Sequence, residues 1–272
     1  MEKVIFLIIL NKSVENKVKN WNLNNIYVLT DFDRTITDGG CDSTWGILSK
    51  SGLVSKQYEE ERNKLFEYYR PIELDASMDL KAKNKMMIDW WNKHIELFIK
   101  YNFEESVINF ASKNDKILKF RDGAKEFLEL MRDNNVPVII ISAGVGNFIK
   151  QFLINNDCDF KNIYILSNFI EFEEGRVCGV KGGIIHSLNK NQIEYPIDLQ
   201  NKIKDRENIV LLGDSISDIT MAKDDDVESA LKIGFLDVKI EENKQYFLEK
   251  FDIVGINNTS FYEIMDKIGI FK

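Results

Sequence analysis

Four short apolar runs constrain this chain more than any other feature: IYVLT (26–30), VPVIIIS (136–142), NIYILSN (162–168) and NIVLLG (208–213). They are continuous rather than alternating, so a strand made from any of them carries apolar side chains on both faces. That pattern belongs to strands buried on both sides of a parallel sheet. Helical patterns lie between them. In GAKEFLELMRDNN (123–135), for example, Phe127, Leu128 and Met131 share one face. Alternating strands and helices predict an α/β fold, a doubly wound parallel sheet of Rossmann-like type. Ligands of such folds collect beyond the carboxyl ends of the strands, so the residues that follow each run matter most.

Residues 38–115 break the alternation. Charged segments such as SKQYEEERNKLFEYYR and the apolar-striped KNKMMIDWWNKHIELFIKYN read as helices. The expected organisation is a catalytic α/β core from residues 1–37 and 116–272, with a helical cap of residues 38–115 inserted after the first strand's loop. The chain has 272 residues, ample for a buried core, and its only prolines, Pro71, Pro137 and Pro196, punctuate it sparsely and do not fix these boundaries to the residue. The N-terminal MEKVIFLIIL is too short to span a membrane, which takes about 20 apolar residues. It lacks a convincing small-residue cleavage site, so a buried N-terminal element is expected rather than a signal peptide.

Carboxylates crowd the ends of these runs. The first leads into Asp31 and Asp33, followed by Thr35, and the second ends in SAGVG, which places Ser142 and the backbone of Ala143 and Gly144 at a strand tip. The last leads into GDSISD, with Asp214 and Asp218, while VKGG and HSLNKN supply Lys181 and Lys190. Two carboxylates as close as Asp31 and Asp33 are costly unless a cation sits between them or one holds a proton. Phosphoryl transfer needs a nucleophile, a proton donor, a cation for the developing charge and donors for the non-bridging oxygens. Magnesium, with its preference for oxygen ligands, suits such a carboxylate group. Spacing alone does not choose between Lys181 and Lys190. Each motif singly has an ordinary reading, a polar turn or a capped helix start; their joint appearance after successive strands points to an enzyme.

The charge balance narrows the partners. A formal net charge of −8 argues against a nucleic acid polymer and leaves room for a small phosphate ester. Cys41, Cys158 and Cys178 are scattered and odd in number, so free thiols in a reducing, cytoplasmic setting are expected. No membrane association is expected, and a monomer is.

DFDRTIT, SAGVG, a lysine and then GDSISD resemble the four motifs of the haloacid dehalogenase superfamily, with its inserted cap. YYRPIELD, MIDWWNKH, LSNFIEFEEG, GGIIHSLNKN and LKIGFL extend the likeness. Together they resemble the cytosolic type III 5′-nucleotidases, or pyrimidine 5′-nucleotidases, from about residue 26 to the C-terminus. The resemblance implies that Asp31 attacks phosphorus and becomes an aspartyl phosphate. By the same resemblance Asp33 would protonate the leaving nucleoside oxygen and later activate water. It also implies a magnesium cofactor held by Asp31, the Asp33 carbonyl and Asp214, with Asp218 in support, and a phosphate grip from Ser142, Ala143 and Lys190. The family pattern favours Lys190 over Lys181.

For the substrate, the resemblance assigns base contacts to Glu73 and His94 of the cap. Their ordinary readings are an exposed glutamate and a member of the core stripe Met87, Trp90, Trp91, His94 and Phe98. Trp91 matches the branch of the family that acts on 7-methylguanosine monophosphate, whose cationic ring suits an indole face. Trp45 is a candidate second face of that sandwich. The expected substrate is a nucleoside 5′-monophosphate: 7-methylguanosine monophosphate, CMP or UMP, with phosphoryl transfer to a nucleoside as a side activity. The rival expectations are a phosphatase of another small ester such as phosphoserine, and a non-catalytic nucleotide-binding protein.

Overall fold

The computed structural model describes residues 7–271 except Lys12, Asp115, Asp224 and Asp225. In chain order its elements are β1 (Leu7–Leu10), α1 (Val14–Val18), β2 (Ile26–Thr30), α2 (Thr44–Lys50), α3 (Lys56–Leu74), α4 (Leu80–Lys100) and α5 (Glu105–Ala111). There follow α6 (Ala124–Asp133), β3 (Val138–Val145), α7 (Gly146–Asn155), β4 (Ile163–Glu173), β5 (Arg176–Lys181) and α8 (Ile197–Ile203). The chain closes with β6 (Asn208–Gly213), β7 (Leu231–Leu236), α9 (Ile240–Lys250), β8 (Ile253–Ile256) and α10 (Phe261–Lys267).

All four apolar runs are strands of one sheet, ordered β1-β8-β7-β6-β2-β3-β4-β5. The interior pairs, from β8 to β4, are parallel, and the two edge strands β1 and β5 run antiparallel to their neighbours. The continuous apolar runs have a direct cause. Ile26 and Val28 of β2 belong to one apolar cluster while Tyr27 and Leu29 belong to another. Val138 and Ile140 of β3 divide from Ile139 and Ile141 in the same way. Successive side chains point to opposite faces, and both faces are covered.

Helices α2 to α5 occupy the segment between β2 and α6, and side-chain caps start three of them. Ser43, Ser55 and Asp79 accept the N–H groups of Gly46, Tyr58 and Ala82. Their apolar faces join the larger of the two sheet clusters, which runs from Val28 and Val138 to Trp45, Met87, Trp91 and Phe98. Met87, Trp90, Trp91, His94 and Phe98 are all buried. The β4–β5 hairpin also meets these helices, where Val177 N–H donates to the Phe103 carbonyl.

Of the N-terminal run, residues 1–6 lie outside the described residues. The rest forms the edge strand β1, whose Ile8 and Ile9 are half-buried and whose Leu10 is exposed. No described helix is long and apolar enough to cross a membrane. The three cysteines are free.

Candidate active site

Strands β2, β3 and β6 are adjacent, and their carboxyl ends deliver the polar residues to one place. Asp31 continues β2 and is fixed by its backbone, whose N–H donates to the Leu212 carbonyl of β6 at 3.0 Å. Lys190 arrives from the segment after β5. Its Nζ lies 2.5 Å from Asp31 Oδ1 and 2.7 Å from Asp218 Oδ1, and all three side chains are buried. Lys181 is exposed at the end of β5.

Asp31, Asp214 and Asp218 each present a carboxylate oxygen within 4.8 Å of the others. Asp218 also caps the turn that follows β6, with Oδ2 accepting the Ser215 N–H at 2.9 Å. Gly213 makes this possible, because a Cβ there would fall 2.4 Å from the Asp218 Cβ.

Asp33 is held from the start of α2. Its Oδ1 accepts the Thr44 N–H at 3.0 Å, and the Thr44 hydroxyl reaches Oδ2 at 3.5 Å. Thr44 Oγ1 in turn accepts the Val145 N–H at 3.0 Å, tying α2 to the tip of β3. Gly144 lies in this junction: a Cβ would sit 2.4 Å from Thr44 Oγ1, 3.0 Å from Ser142 Oγ and 3.3 Å from Asp33 Oδ2. Only glycine leaves room for the three to meet.

The electrostatics follow from burying several carboxylates around one lysine. Burial, with the Asp218 charge adding and Lys190 opposing, pushes Asp31 up to about 6. Burial and the nearby Asp31 push Asp33 up to about 7, against the pull of the Thr44 N–H. Asp214 is raised well above the usual carboxylate range by burial and by Asp218 and Asp31. Burial works to lower the Lys190 ammonium, but Asp218 and Asp31 outweigh it and hold the charge on. A carboxyl such as Asp33, poised between its two protonation states near neutrality, can both give and take a proton. The all-oxygen donors of Asp31, Asp214 and Asp218, with more negative charge than Lys190 balances, fit a hard divalent cation such as magnesium.

The sequence signature of the pyrimidine 5′-nucleotidase (UMPH-1) family matches residues 27–268. The chain belongs to this family. It is a hydrolase of the 5′-nucleotidase class. The 7-methylguanosine phosphate-specific 5′-nucleotidase of Mus musculus is 35% identical over 244 residues, spanning 85% of this chain and 79% of its own. The protein of that name from Drosophila melanogaster is 34% identical, spanning 85% of this chain and 75% of its own. Among solved structures, cytosolic 5′-nucleotidase IIIB bound to cytidine superimposes with a TM-score of 0.84 at 29% identity, covering 97% of this chain and 93% of the other. A substrate-bound phosphoserine phosphatase superimposes with a TM-score of 0.58 at 21% identity, a likeness of fold, and covers 90% of this chain and 98% of the other.

In this family member the four candidate substrate contacts are placed as follows. Glu73, near the end of α3, pairs with Arg70, and its Oε1 accepts the Ser187 hydroxyl at 2.6 Å. Beside it a cavity of about 410 Å³ opens, lined by Arg34, Arg70, Leu74, Asp214, Ser215 and others. His94 is buried among indoles, 5.1 Å from the Trp45 ring, and burial pushes its pKa down to about 3, so it is neutral. Trp45 and Trp91 meet edge to face, with centroids 6.4 Å apart and planes at 85°. In this arrangement they do not present parallel faces to a base between them. Both indole N–H groups instead donate to the Ala143 carbonyl, at 3.0 and 2.8 Å.

Sequence reasoning missed Thr44, Asn168 and Arg121. Thr44 follows the capping Ser43, an ordinary helix start whose contact with Asp33 is tertiary. Asn168 ends an apolar run, a polar residue in a strand otherwise written for burial, and that was a readable signal. Its amide donates to the Ala143, Gly144 and Ile185 carbonyls and accepts the Ile185 N–H. Arg121 is fully buried against the turn after Asp33.

Proposed function

We propose that this chain is a magnesium-dependent 5′-nucleotidase that hydrolyses a nucleoside 5′-monophosphate through an aspartyl phosphate on Asp31. The candidate substrates are 7-methylguanosine monophosphate, CMP and UMP. The observation that carries the reading is the meeting of Asp31, Asp33, Asp214, Asp218 and Lys190 at the ends of β2 and β6, in a member of a nucleotidase family.

Asp31, the Asp33 backbone carbonyl and Asp214 would hold magnesium, with Asp218 in support. When bound, the ion neutralises charge on the phosphoryl oxygens. Asp31 attacks phosphorus and the bond to the nucleoside O5′ breaks, with the Asp33 proton passing to that oxygen. Asp33, now a carboxylate, takes a proton from the water that attacks the aspartyl phosphate. Inorganic phosphate leaves and Asp31 is restored. A nucleoside hydroxyl in place of that water gives phosphotransfer. Lys190, Ser142 and the Ala143 amide receive the phosphoryl oxygens.

The division into a core of residues 1–37 and 116–272 and a cap of residues 38–115 belongs to the same reading. The cap supplies Glu73 and His94 toward the nucleoside, while Trp91 and Trp45, the other two substrate-site candidates, meet edge to face and turn their N–H groups to the Ala143 carbonyl. Three free cysteines suit a reducing compartment, and we expect a cytoplasmic monomer.

The test is phosphate release by the purified protein with magnesium across UMP, CMP, AMP, GMP, 7-methylguanosine monophosphate and phosphoserine, beside Asp31→Asn. Turnover of nucleotides but not phosphoserine, lost in the variant by at least about 10³-fold, is the expected result. Turnover of phosphoserine alone sinks the nucleotide reading and keeps the phosphatase one.

A further inference from the structure

The Ala143 carbonyl has an unusual environment. Trp91 Nε1 approaches it at 2.8 Å, Trp45 Nε1 at 3.0 Å and Asn168 Nδ2 at 3.0 Å. A carbonyl oxygen carries two lone pairs, so three convergent N–H donors more than saturate it. The donors come from three separate elements: Trp45 from α2, Trp91 from α4 and Asn168 from β4.

What this oxygen fixes is the peptide between residues 143 and 144. That unit is planar, so holding its oxygen sets the direction of its N–H. The N–H is Gly144's, and it donates to Ser142 Oγ at 3.0 Å. One acceptor position of the Ser142 hydroxyl is thereby occupied, and its proton is directed elsewhere. Ser142 is buried at the tip of β3, on the side where Gly144 adjoins Asp33 and Thr44. The next carbonyl, Gly144's, is held as well, by the Ser167 hydroxyl at 3.0 Å and Asn168 Nδ2 at 3.2 Å.

We propose that Trp45 and Trp91 are positioning residues, whose indole N–H groups hold the Ala143 carbonyl and through the 143–144 peptide aim the Ser142 hydroxyl at the bound phosphate. They act on the phosphoryl end of every substrate, whatever base it carries. Because both indoles belong to helices of the 38–115 segment, the phosphate loop is set only while α2 and α4 lie against β3. The inference rests on the reading of residues 142–144 as a phosphate loop, and it is separable from the choice of nucleotide.

Trp45→Phe and Trp91→Phe keep an aromatic ring and remove the N–H. The affinity for inorganic phosphate, with magnesium present, is measured by calorimetry. The kcat and KM are measured on CMP, 7-methylguanosine monophosphate and p-nitrophenyl phosphate, and circular dichroism monitors the fold. Each substitution is expected to weaken phosphate by about fivefold, the scale of one ordinary hydrogen bond, and to lower kcat by a similar factor on all esters. The KM ratio between the two nucleotides stays fixed. Unchanged phosphate affinity, or a loss confined to the KM of one base, overturns the proposal and assigns the indoles to the base. Should a Phe variant not fold, benzothienylalanine at position 45 keeps the bicyclic shape, lacks only the N–H, and decides by the same phosphate measurement. If the wild type hydrolyses no nucleotide, the nucleotidase reading fails, while phosphate affinity still judges this one.

Discussion

Lys190 reaches Asp31 across 159 positions of chain, with Nζ 2.5 Å from Oδ1, and places the same ammonium 2.7 Å from Asp218. A single buried cation thus holds together carboxylates contributed by two neighbouring strand ends. Removing one partner of a buried pair strands the other's charge, at a cost of about 3–5 kcal/mol. Lys190→Met is expected to lose stability on that scale in magnesium-free buffer, to regain part of it when magnesium is added, and to hydrolyse substrate at least about 100-fold more slowly. Urea titrations with and without the ion, beside phosphate release, check all three. Equal stability to wild type in metal-free buffer contradicts the prediction.

Gly144 leaves the space in which Thr44, Ser142 and Asp33 come together. In Gly144→Ala the new methyl would stand 2.4 Å from Thr44 Oγ1, so the hydroxyl must give up its contacts with Val145 N–H and Asp33. Overpacking of this kind costs about 1–3 kcal/mol. The expected phenotype is a folded protein with a modestly lowered Tm and a kcat reduced about tenfold or more. A variant with wild-type kcat shows that Thr44 does not need its present position.

All five N–H donors of Arg121 are engaged. Nε donates to the Thr35 carbonyl at 3.0 Å, one terminal nitrogen to Asn258 Oδ1 and the Thr259 carbonyl at 3.0 and 3.3 Å, and the other to Asp237 at 2.7 Å and to the Arg34 carbonyl. The guanidinium also lies 4.2 Å from the Phe235 ring centroid. Lysine has three donors and no planar fork. Arg121→Lys leaves buried acceptors unpaired, and a loss of about 3 kcal/mol or more is expected in urea titration. A shift below about 1 kcal/mol contradicts the count.

His94 makes acid stability partly predictable. Burial, aided by the Arg62 charge, lowers its folded pKa to about 3, against about 6.5 in an unfolded chain. From pH 6.5 down to about 3 the unfolded chain therefore binds a proton that the folded chain refuses. Stability is full above pH 6.5 and falls through that window by about 1.4 kcal/mol per unit from this residue alone. The Nδ1 atom has no hydrogen-bond partner among the described residues, so His94→Leu forfeits none there. Between pH 7.5 and 5.0 the variant is expected to lose about 2 kcal/mol less than wild type. His186, lowered to about 4 by burial against the opposing Glu73 charge, retains its own share of the slope in both proteins. Parallel stability curves exclude the assignment.

The sequence alone determined four adjacent strands of the sheet, β6, β2, β3 and β4, and the chemistry at their ends. IYVLT, VPVIIIS, NIYILSN and NIVLLG each carry enough apolar surface for two faces, and a strand so written has nowhere to go but the middle of a covered sheet. Asp31, Asp33, Asp214 and Asp218 closely follow two of those runs and Ser142 closes a third, so finding the strands found the residues. Lys190 was narrowed to one of two lysines by resemblance rather than by spacing, because a loop residue's reach depends on the path of the loop. The helices of residues 38–115 were legible as helices, and one of them as an apolar stripe. What the stripe packs against was not legible, because helical periodicity records which side chains share a face and says nothing of the surface that face meets. The edge-to-face indoles, their common acceptor at Ala143, the Thr44 hold on Asp33 and the five bonds of Arg121 all join segments far apart in the chain. Only the tertiary structure decided them, since a hydrogen bond to a backbone carbonyl leaves no mark on the residue that accepts it.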